Sequence, residues 1–144
     1  MKFWNALLES LHSAAIDELT EKFPEPKPEL GLPKRASGFD APLGCTSNLI
    51  VRTSGVEAGH ALSGWVMLAC DADFARAITL ESLWGELQNR AQREFLRRGI
   101  VPKFSGPSVA PVRIADTNGL ALPSRVIWMP FRLAPGQLQL GVGV

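Results

Sequence analysis

The residues whose types and spacing best suit chemistry are a carboxylate and an amide, Glu86 and Asn89, which lie three positions apart. Residues at this spacing on an α-helix project in nearly the same direction from adjacent turns. A carboxylate accepts hydrogen bonds or pairs with a cation, whereas an amide both donates and accepts. The sequence shows no metal cluster, no phosphate-binding glycine loop and no nucleophile beside a base. The pair is therefore the first candidate for a functional site.

A helix is needed to position this pair, and the surrounding segment carries the signals of one. Thr79 is a suitable N-cap, and Gly99 stands where a left-handed C-terminal cap is expected. Glu81 suits the positive end of the helix dipole, and Arg97 and Arg98 suit the negative end. The apolar positions recur at three- and four-residue steps and predict one buried stripe, formed by Leu80, Leu83, Trp84, Leu87, Ala91 and Phe95.

The opposite face of this predicted helix carries the acid and the amide together with Arg90, Arg93 and Arg97. One interpretation is an ordinary solvated surface with an ion pair between Glu86 and Arg90, which would contribute about 0.3–0.5 kcal/mol. The other is a site that uses the acid and the amide. The spacing alone is compatible with both.

The composition is that of a single globular domain. The chain has 144 residues, of which 46% are apolar and 20% are charged. A chain of this length buries roughly 68–70% of its unfolded surface, which is enough for a core. The net charge of +1 argues against a nucleic-acid or membrane-surface role. Cys45 and Cys70 suggest buried thiols in a reducing compartment.

The sequence favours a cytoplasmic location. No apolar run approaches the ~18 residues that a membrane span needs. Glu9 and His12 fall where the apolar region of a signal peptide would lie. We therefore expect neither a membrane span nor a secreted protein.

The order of predicted elements favours an α+β fold, with a largely antiparallel sheet and two main helices packed on it. Residues 1–23 predict an N-terminal helix, 24–42 a stiff proline-rich connector, and 43–144 the sheet with the candidate helix. Residues 71–78 predict about two turns of helix, with Asp71 or Asp73 as cap. Further patterns predict strands at 48–53, 61–70, 107–115, 125–134 and 137–144, with turns at 54–60 and 116–119.

Other arrangements of reactive residues are weaker candidates. His12 and His60 each lack a second ligand at metal-binding spacing. A serine, histidine and aspartate set can be written from Ser54, His60 and Asp71, but no nucleophile-elbow motif accompanies it. We expect neither a metal site nor a hydrolase triad in this chain.

The chain resembles the CheC/CheX/FliY chemotaxis phosphatases, most closely the CheX-like branch. The segment Ser82-x-x-x-Glu86-x-x-Asn89 is similar to that family's helix signature. Gly99 followed by SGPS, the early GVEAGHALSGWVMLAC, and VIWMPF leading to LQLGVGV are similar to its other recurring segments. Together they span nearly the whole chain, which implies a single CheX-like domain over residues 1–144.

The resemblance implies a function for the candidate pair. Proteins of this family dephosphorylate the phospho-aspartate of a CheY-like response regulator. By resemblance, Asn89 would position the attacking water, and Glu86 would dock the regulator's lysine. Ser82, Arg90 and Arg93 would contact the partner, the arginines by attraction to its acidic, phosphorylated pocket.

The resemblance also implies properties of the assembly and leaves one alternative open. The magnesium would belong to the regulator, so we expect no cofactor in this chain. CheX-like proteins are dimers, so we expect a homodimer through sheet edges, with residues 137–144 as a possible edge strand. The short interval before Glu86 and the arginines after Asn89 favour the alternative, a non-catalytic binding or dimerisation module in signalling.

Overall fold

The structure, a computed structural model, describes residues 2–38, 42–111 and 123–144. Its helices are α1 (Lys2–Lys22), α2 (Ala72–Ala77) and α3 (Leu80–Arg97). Its strands are β1 (Glu29–Leu30), β2 (Lys34–Ala36), β3 (Ser47–Glu57), β4 (His60–Cys70), β5 (Lys103–Pro111), β6 (Val126–Arg132) and β7 (Gln137–Gly143). The predicted 107–115 strand is found in part as β5, and the predicted turn at 116–119 lies outside the described residues.

The described strands form one antiparallel sheet in the order β1-β6-β7-β4-β3-β5, with β2 also paired to β6. The predicted α+β class is therefore confirmed. The prediction of residues 137–144 as an edge strand is wrong, because β7 lies between β6 and β4 and most of its residues are buried. A near-continuous buried run is typical of a strand covered on both faces.

The proline-rich segment adds structure that the sequence analysis did not predict. Its two short strands, β1 and β2, pair one after the other with β6 and form an edge of the sheet. Pro33 separates the two strands and cannot donate a ladder hydrogen bond. Prolines and short strands at an edge disfavour pairing with another chain. This segment is extended, as predicted, but it belongs to the sheet.

The β3–β4 hairpin is longer than predicted, because its strands continue through the glycine-containing patch at 54–60. Glu57 pairs with His60, which leaves only Ala58 and Gly59 as the turn. Both have positive φ, +51° and +79°, as a type I′ hairpin turn requires. This turn matches the twist of the flanking strands, so pairing continues to the tip.

Both long helices lie on one face of the sheet. The alternating residues Leu49, Val51, Val66 and Leu68 join the buried stripes of α1 and α3 in one apolar cluster. The intervening residues Ile50, Trp65, Met67 and Trp128 belong to a second cluster, on the opposite face. The helices therefore cover one side of a sheet that is buried on both sides.

Glycines in the hairpin let the start of α1 lie against the sheet. A Cβ at Gly55 would stand 2.2 Å from the ring of Phe3, and one at Gly64 would stand 2.6 Å from Trp4. Such separations are far below van der Waals contact, so any larger residue there would displace an aromatic ring. The two rings also contact each other edge to face at 5.0 Å. This packing sets where α1 begins, and therefore where it meets α3.

Candidate functional site

The helix that carries the candidate pair is capped at both ends as predicted. The Thr79 Oγ1 accepts a hydrogen bond from the Ser82 N–H at 3.2 Å. At the other end, Gly99 has φ +71°, and its N–H donates to the Leu96 carbonyl. The Ile100 N–H donates to the Phe95 carbonyl, which completes a Schellman motif. Both ends of α3 are thus fixed by local hydrogen bonds.

The predicted apolar stripe of α3 is the buried stripe. The buried residues of the helix are Leu80, Leu83, Trp84, Leu87, Ala91 and Phe95. Trp84 meets Phe104 of β5 edge to face, with ring centroids 5.0 Å apart. Aromatic pairs of this geometry stabilise packing by about 0.5–1.5 kcal/mol beyond their buried area. The rotation of α3 about its own axis is therefore held by the core.

The opposite side of α3 is exposed, and we call it the open face. It carries Ser82, Gly85, Glu86, Asn89 and Arg93, all of which are exposed. Within the described ranges, the side chains of Glu86 and Asn89 make no hydrogen bond or ion pair. Polar groups left in this state are hydrated and available to a second molecule. They stand on a convex helix surface, which suits insertion into a partner's cleft.

Arg90 does not share this state, because it bridges α3 to α1. Its Nε lies 2.5 Å from Glu18 Oε2, and its second terminal nitrogen contacts the Glu21 carboxylate. Hydrogen bonds to Glu18 and then Glu21 raise the pKa of the Arg90 guanidinium above its usual value. The structure thus pairs Arg90 with α1, not with Glu86 as the solvated-surface interpretation expects. Its charge is compensated within the chain and is poorly placed to attract a partner.

A second link joins α1 to the C-terminal end of α3. The Arg98 guanidinium contacts Glu9 of α1 and lies 3.3 Å from Glu94 of its own helix. Because Glu9 meets Arg98 and Glu18 meets Arg90, the two helices run antiparallel. We call these two links the α1–α3 clamp. They hold the candidate helix from the side, while the core holds it from below.

Arg93 is the positive charge of the open face. Arg97 lies 2.6 Å from Glu94, so Arg90, Arg97 and Arg98 all have carboxylate partners. In the part of the chain that the structure describes, Arg93 has no such partner. Among the described residues, Arg93 is therefore the arginine of α3 whose charge is not compensated by a carboxylate.

The sequence does not identify Glu18 and Glu21 as partners of the candidate helix. Glu18 is only 3% exposed, since α3 covers it. A signal was present, because Glu18 follows Ala14 and Ala15 by four and three residues and so borders the apolar stripe. Its partner is 72 residues away in sequence, and no local pattern identifies it.

The weaker candidates are not assembled into sites. His60 begins β4 and Asp71 follows its end, which separates them by about 30 Å of strand. Asp71 caps α2 by accepting from the Phe74 N–H, and it also accepts from the Gln137 N–H. His12 packs against Phe131, with ring centroids 5.2 Å apart. Among the described residues no group of three His, Cys, Asp or Glu could hold a metal ion.

The cysteines are free and unreactive in character. Burial, together with the nearby Asp71 charge, raises the pKa of the half-buried Cys45 to about 11. Burial also raises the pKa of Cys70 to about 12. Thiols with such pKa values are almost entirely protonated at neutral pH and are poor nucleophiles.

The helices of the described residues contain no apolar stretch of the length that a bilayer span requires.

Glycine at position 85 has no explanation within the described fold. A Cβ placed there would meet nothing within 4 Å, so no neighbour requires its absence. Glycine inside an exposed helix destabilises it by about 1 kcal/mol relative to alanine. The cost falls at the edge of the open face, beside Asn89.

Comparison with known proteins gives a fold and no close sequence relative. No family model matches the sequence, and no curated protein matches it significantly. The fold is similar to that of a chemotactic CheC-like protein from Shewanella oneidensis. The TM-score is 0.66 at 13% identity, over 99% of this chain and 97% of that one.

Two further solved structures are similar. The chemotaxis protein CheX from Desulfovibrio desulfuricans gives a TM-score of 0.60 at 14% identity, over 93% of this chain and 95% of that one. A chain of the CheX–CheY–BeF3–Mg complex from Borrelia burgdorferi gives a TM-score of 0.56 at 13% identity, over 98% of this chain and 96% of that one. These matches span almost the whole chain and confirm the predicted resemblance at the level of structure. The chain therefore has the fold of the CheX- and CheC-like chemotaxis proteins.

Proposed function

We propose that this protein acts in chemotaxis or two-component signalling and dephosphorylates the phospho-aspartate of a CheY-like response regulator. The observation that carries the proposal is the state of the acid and the amide. Glu86 and Asn89 are exposed on α3, without a partner in the described ranges, while core and clamp hold the helix beneath them. Rigidly presented but unoccupied polar groups suit recognition of a second molecule.

The chemistry of such a reaction needs little covalent work from this chain. A water oxygen attacks phosphorus in line with the acyl oxygen, the P–O bond to the aspartate breaks, and inorganic phosphate leaves. The main contribution of a protein to this step is position. In the proposal, the Asn89 amide holds the water, since its oxygen accepts from the water and its NH₂ donates to it.

The neighbouring residues supply docking. Glu86 pairs with the lysine of the regulator's phosphorylation site, and Ser82 contacts the partner one turn before it. Arg93 provides the attraction to an acidic, phosphorylated pocket. Arg90, whose charge is compensated by α1, instead fixes the position of α3. Any magnesium in the reaction is expected on the regulator. The Borrelia CheX structure in complex with CheY, BeF3 and Mg supports this kind of partner.

The direct test is release of inorganic phosphate from phosphorylated CheY-like receiver domains of the source organism. The wild-type chain should accelerate release from its cognate receiver, and Asn89→Ala should lower that acceleration by about a hundredfold. Gln92→Ala is the matched control, because it removes an exposed amide from the next turn of α3. Equal activity of Asn89→Ala and wild type would refute the assignment of the amide.

The alternative is a binding module without catalysis. The observation that favours it is Arg93, an exposed charge one turn after Asn89. Measuring both receiver binding and the rate of phosphate release distinguishes the two functions. A silent module binds the phosphorylated receiver but leaves its rate of phosphate loss unchanged. A phosphatase changes that rate at catalytic concentrations of protein.

Two further expectations remain part of this proposal, a cytoplasmic location and a homodimer formed through sheet edges. In the described sheet, β5 pairs only with β3, whereas the other edge is formed by the proline-flanked β1 and β2. A dimer through an edge is thus proposed to use β5. Sedimentation equilibrium of wild type and of Lys103→Pro, which leaves Phe104 intact, would test this dimer. The proline should shift the population to monomer.

A further inference from the structure

Gly85 lies along one edge of the open face, on the side of Asn89 and away from Glu86. With 3.6 residues per turn, Ser82, Gly85 and Asn89 fall within an arc of about 60° and occupy three successive turns. Along the helix axis Gly85 lies between the other two, and around the axis it stands beside Asn89. It leaves a gap in the row of side chains beside Asn89, where the backbone of α3 is accessible.

The described part of the fold does not explain this glycine. It is exposed, its neighbours leave room for a side chain, and no positive φ is found at this position, in contrast to Gly99. Gly55 and Gly64, in comparison, are each needed by an aromatic ring of α1. A residue that weakens a helix and serves no contact inside the molecule is explained by a contact with another molecule.

We propose that Gly85 is the close-approach point of the docked partner. The inference rests on the proposed function, and the partner is the phosphorylated pocket of a receiver domain. The missing side chain lets a partner loop lie against the backbone of α3, so that the short Asn89 side chain reaches the water beside the phosphoryl group. Arg93, on the same face, gives the charge complementarity expected for such a pocket.

The proposal makes stability and docking change in opposite directions. Gly85→Ala removes the entropic cost of glycine, so the melting temperature should rise by about 3–5 °C. The added methyl group lies at the contact, so affinity for the partner should fall. Gly85→Leu fills the gap on an exposed position, and we expect a loss of affinity of about tenfold to a hundredfold.

The experiment measures binding of receiver domains of the source organism, loaded with beryllium fluoride and magnesium, by titration calorimetry. Wild type, Gly85→Ala, Gly85→Leu and Thr20→Leu are compared, and each melting temperature is measured alongside. Thr20 is exposed on α1, so Thr20→Leu adds similar bulk away from the open face. The expected result is a graded loss with size at position 85, an unchanged affinity for Thr20→Leu, and folded proteins throughout.

The outcomes separate the two proposals. Binding by wild type that Gly85→Leu leaves unchanged overturns the close-approach inference and leaves the proposed function intact. If wild type binds no loaded receiver and hydrolyses none, the proposed function fails and the inference fails with it. A loss of affinity in Gly85→Leu with a strongly lowered melting temperature would indicate damage to the helix. In that case a weakened affinity of the stabilised Gly85→Ala decides for the inference, and an unchanged one decides against it.

Discussion

The two sides of α3 hold polar residues in opposite states. On the side toward α1, Arg90 and Arg98 have carboxylate partners from Glu18, Glu21 and Glu9. On the open face, Glu86 and Asn89 are exposed and have no partner among the described residues. Asn89 and Arg90 are adjacent residues of the same helix, so the helix alone does not account for the difference.

The comparison teaches how to separate structural from functional polar residues on one helix. Arg90 and its acids connect two helices, and Glu18 is buried by that contact. Removing such a group leaves a buried charge without its partner and should affect folding. Removing an exposed, unpaired group should leave folding unchanged and affect only what binds. The variants below test this division.

The largest expected effect lies below both sides, in the buried stripe. Leu87→Ala deletes a side chain that is fully buried beneath the helix. Truncations of this kind cost about 2–5 kcal/mol, because apolar contacts are lost and a cavity remains. Urea denaturation should show this loss in the free energy of unfolding. A loss below about 1 kcal/mol would mean that α3 is not anchored as described.

The clamp should come next. Arg90→Met leaves the nearly buried Glu18, among the described residues, with Lys22 as its remaining partner, whose Nζ lies 3.6 Å away, so we expect a loss of about 1–3 kcal/mol. Adding Glu18→Gln should restore part of that loss, as a double-mutant cycle would show.

Arg76→Met provides the matched control for the clamp. It breaks an ion pair with Asp73 at 3.0 Å in which both side chains are mostly exposed. Exposed pairs of this kind contribute little, so the change in the free energy of unfolding should stay below about 0.5 kcal/mol. Equal effects of Arg76→Met and Arg90→Met would contradict the distinction between a clamp and a surface pair.

The open face should tolerate change. Glu86→Ala and Asn89→Ala should each alter the free energy of unfolding by less than about 0.5 kcal/mol, since both side chains are hydrated and exposed. Chemical denaturation of the same preparations used for phosphate release would measure this. A marked destabilisation by either variant would show that the pair has a structural role and would remove the basis of the proposal.

The smallest effect concerns pH. Burial against Phe131 lowers the pKa of His12 below 6.5, so the folded state favours the neutral imidazole. Between that lowered pKa and 6.5, the unfolded chain binds more protons, so stability falls as pH falls through this window. Above 6.5 the residue makes no such contribution. Thermal melts from pH 7.5 to 5 should show the decline, and His12→Phe should reduce it.

Features that depend on neighbours in sequence were predicted well. The caps at Thr79 and Gly99 and the whole buried stripe of α3 follow from local hydrogen bonding and helical periodicity. The hairpin and the α+β class were predicted for the same reason. The position of β7 was not, because the neighbours of a strand are chosen by non-local pairing.

The candidate site divides in the same way. Its acid and amide were identified from a spacing of three on a periodic helix. The different states of Arg90, which is paired with α1, and Arg93, which is not, were not predicted, although both residues belong to the same polar stretch. The partner of Arg90 lies 72 residues earlier, and only the antiparallel packing of α1 on α3 brings the two together.

The sequence by itself determined that this chain would present Glu86 and Asn89 on the wet side of a capped, amphipathic helix. Helical period and capping are properties of adjacent residues, so they need no knowledge of the rest of the fold. Only the tertiary structure decided which charges beside that pair would remain available. Ion pairs between distant segments depend on how elements pack, and the packing of α1 compensates Arg90, whereas Arg93 and Gly85 stay exposed in the described structure.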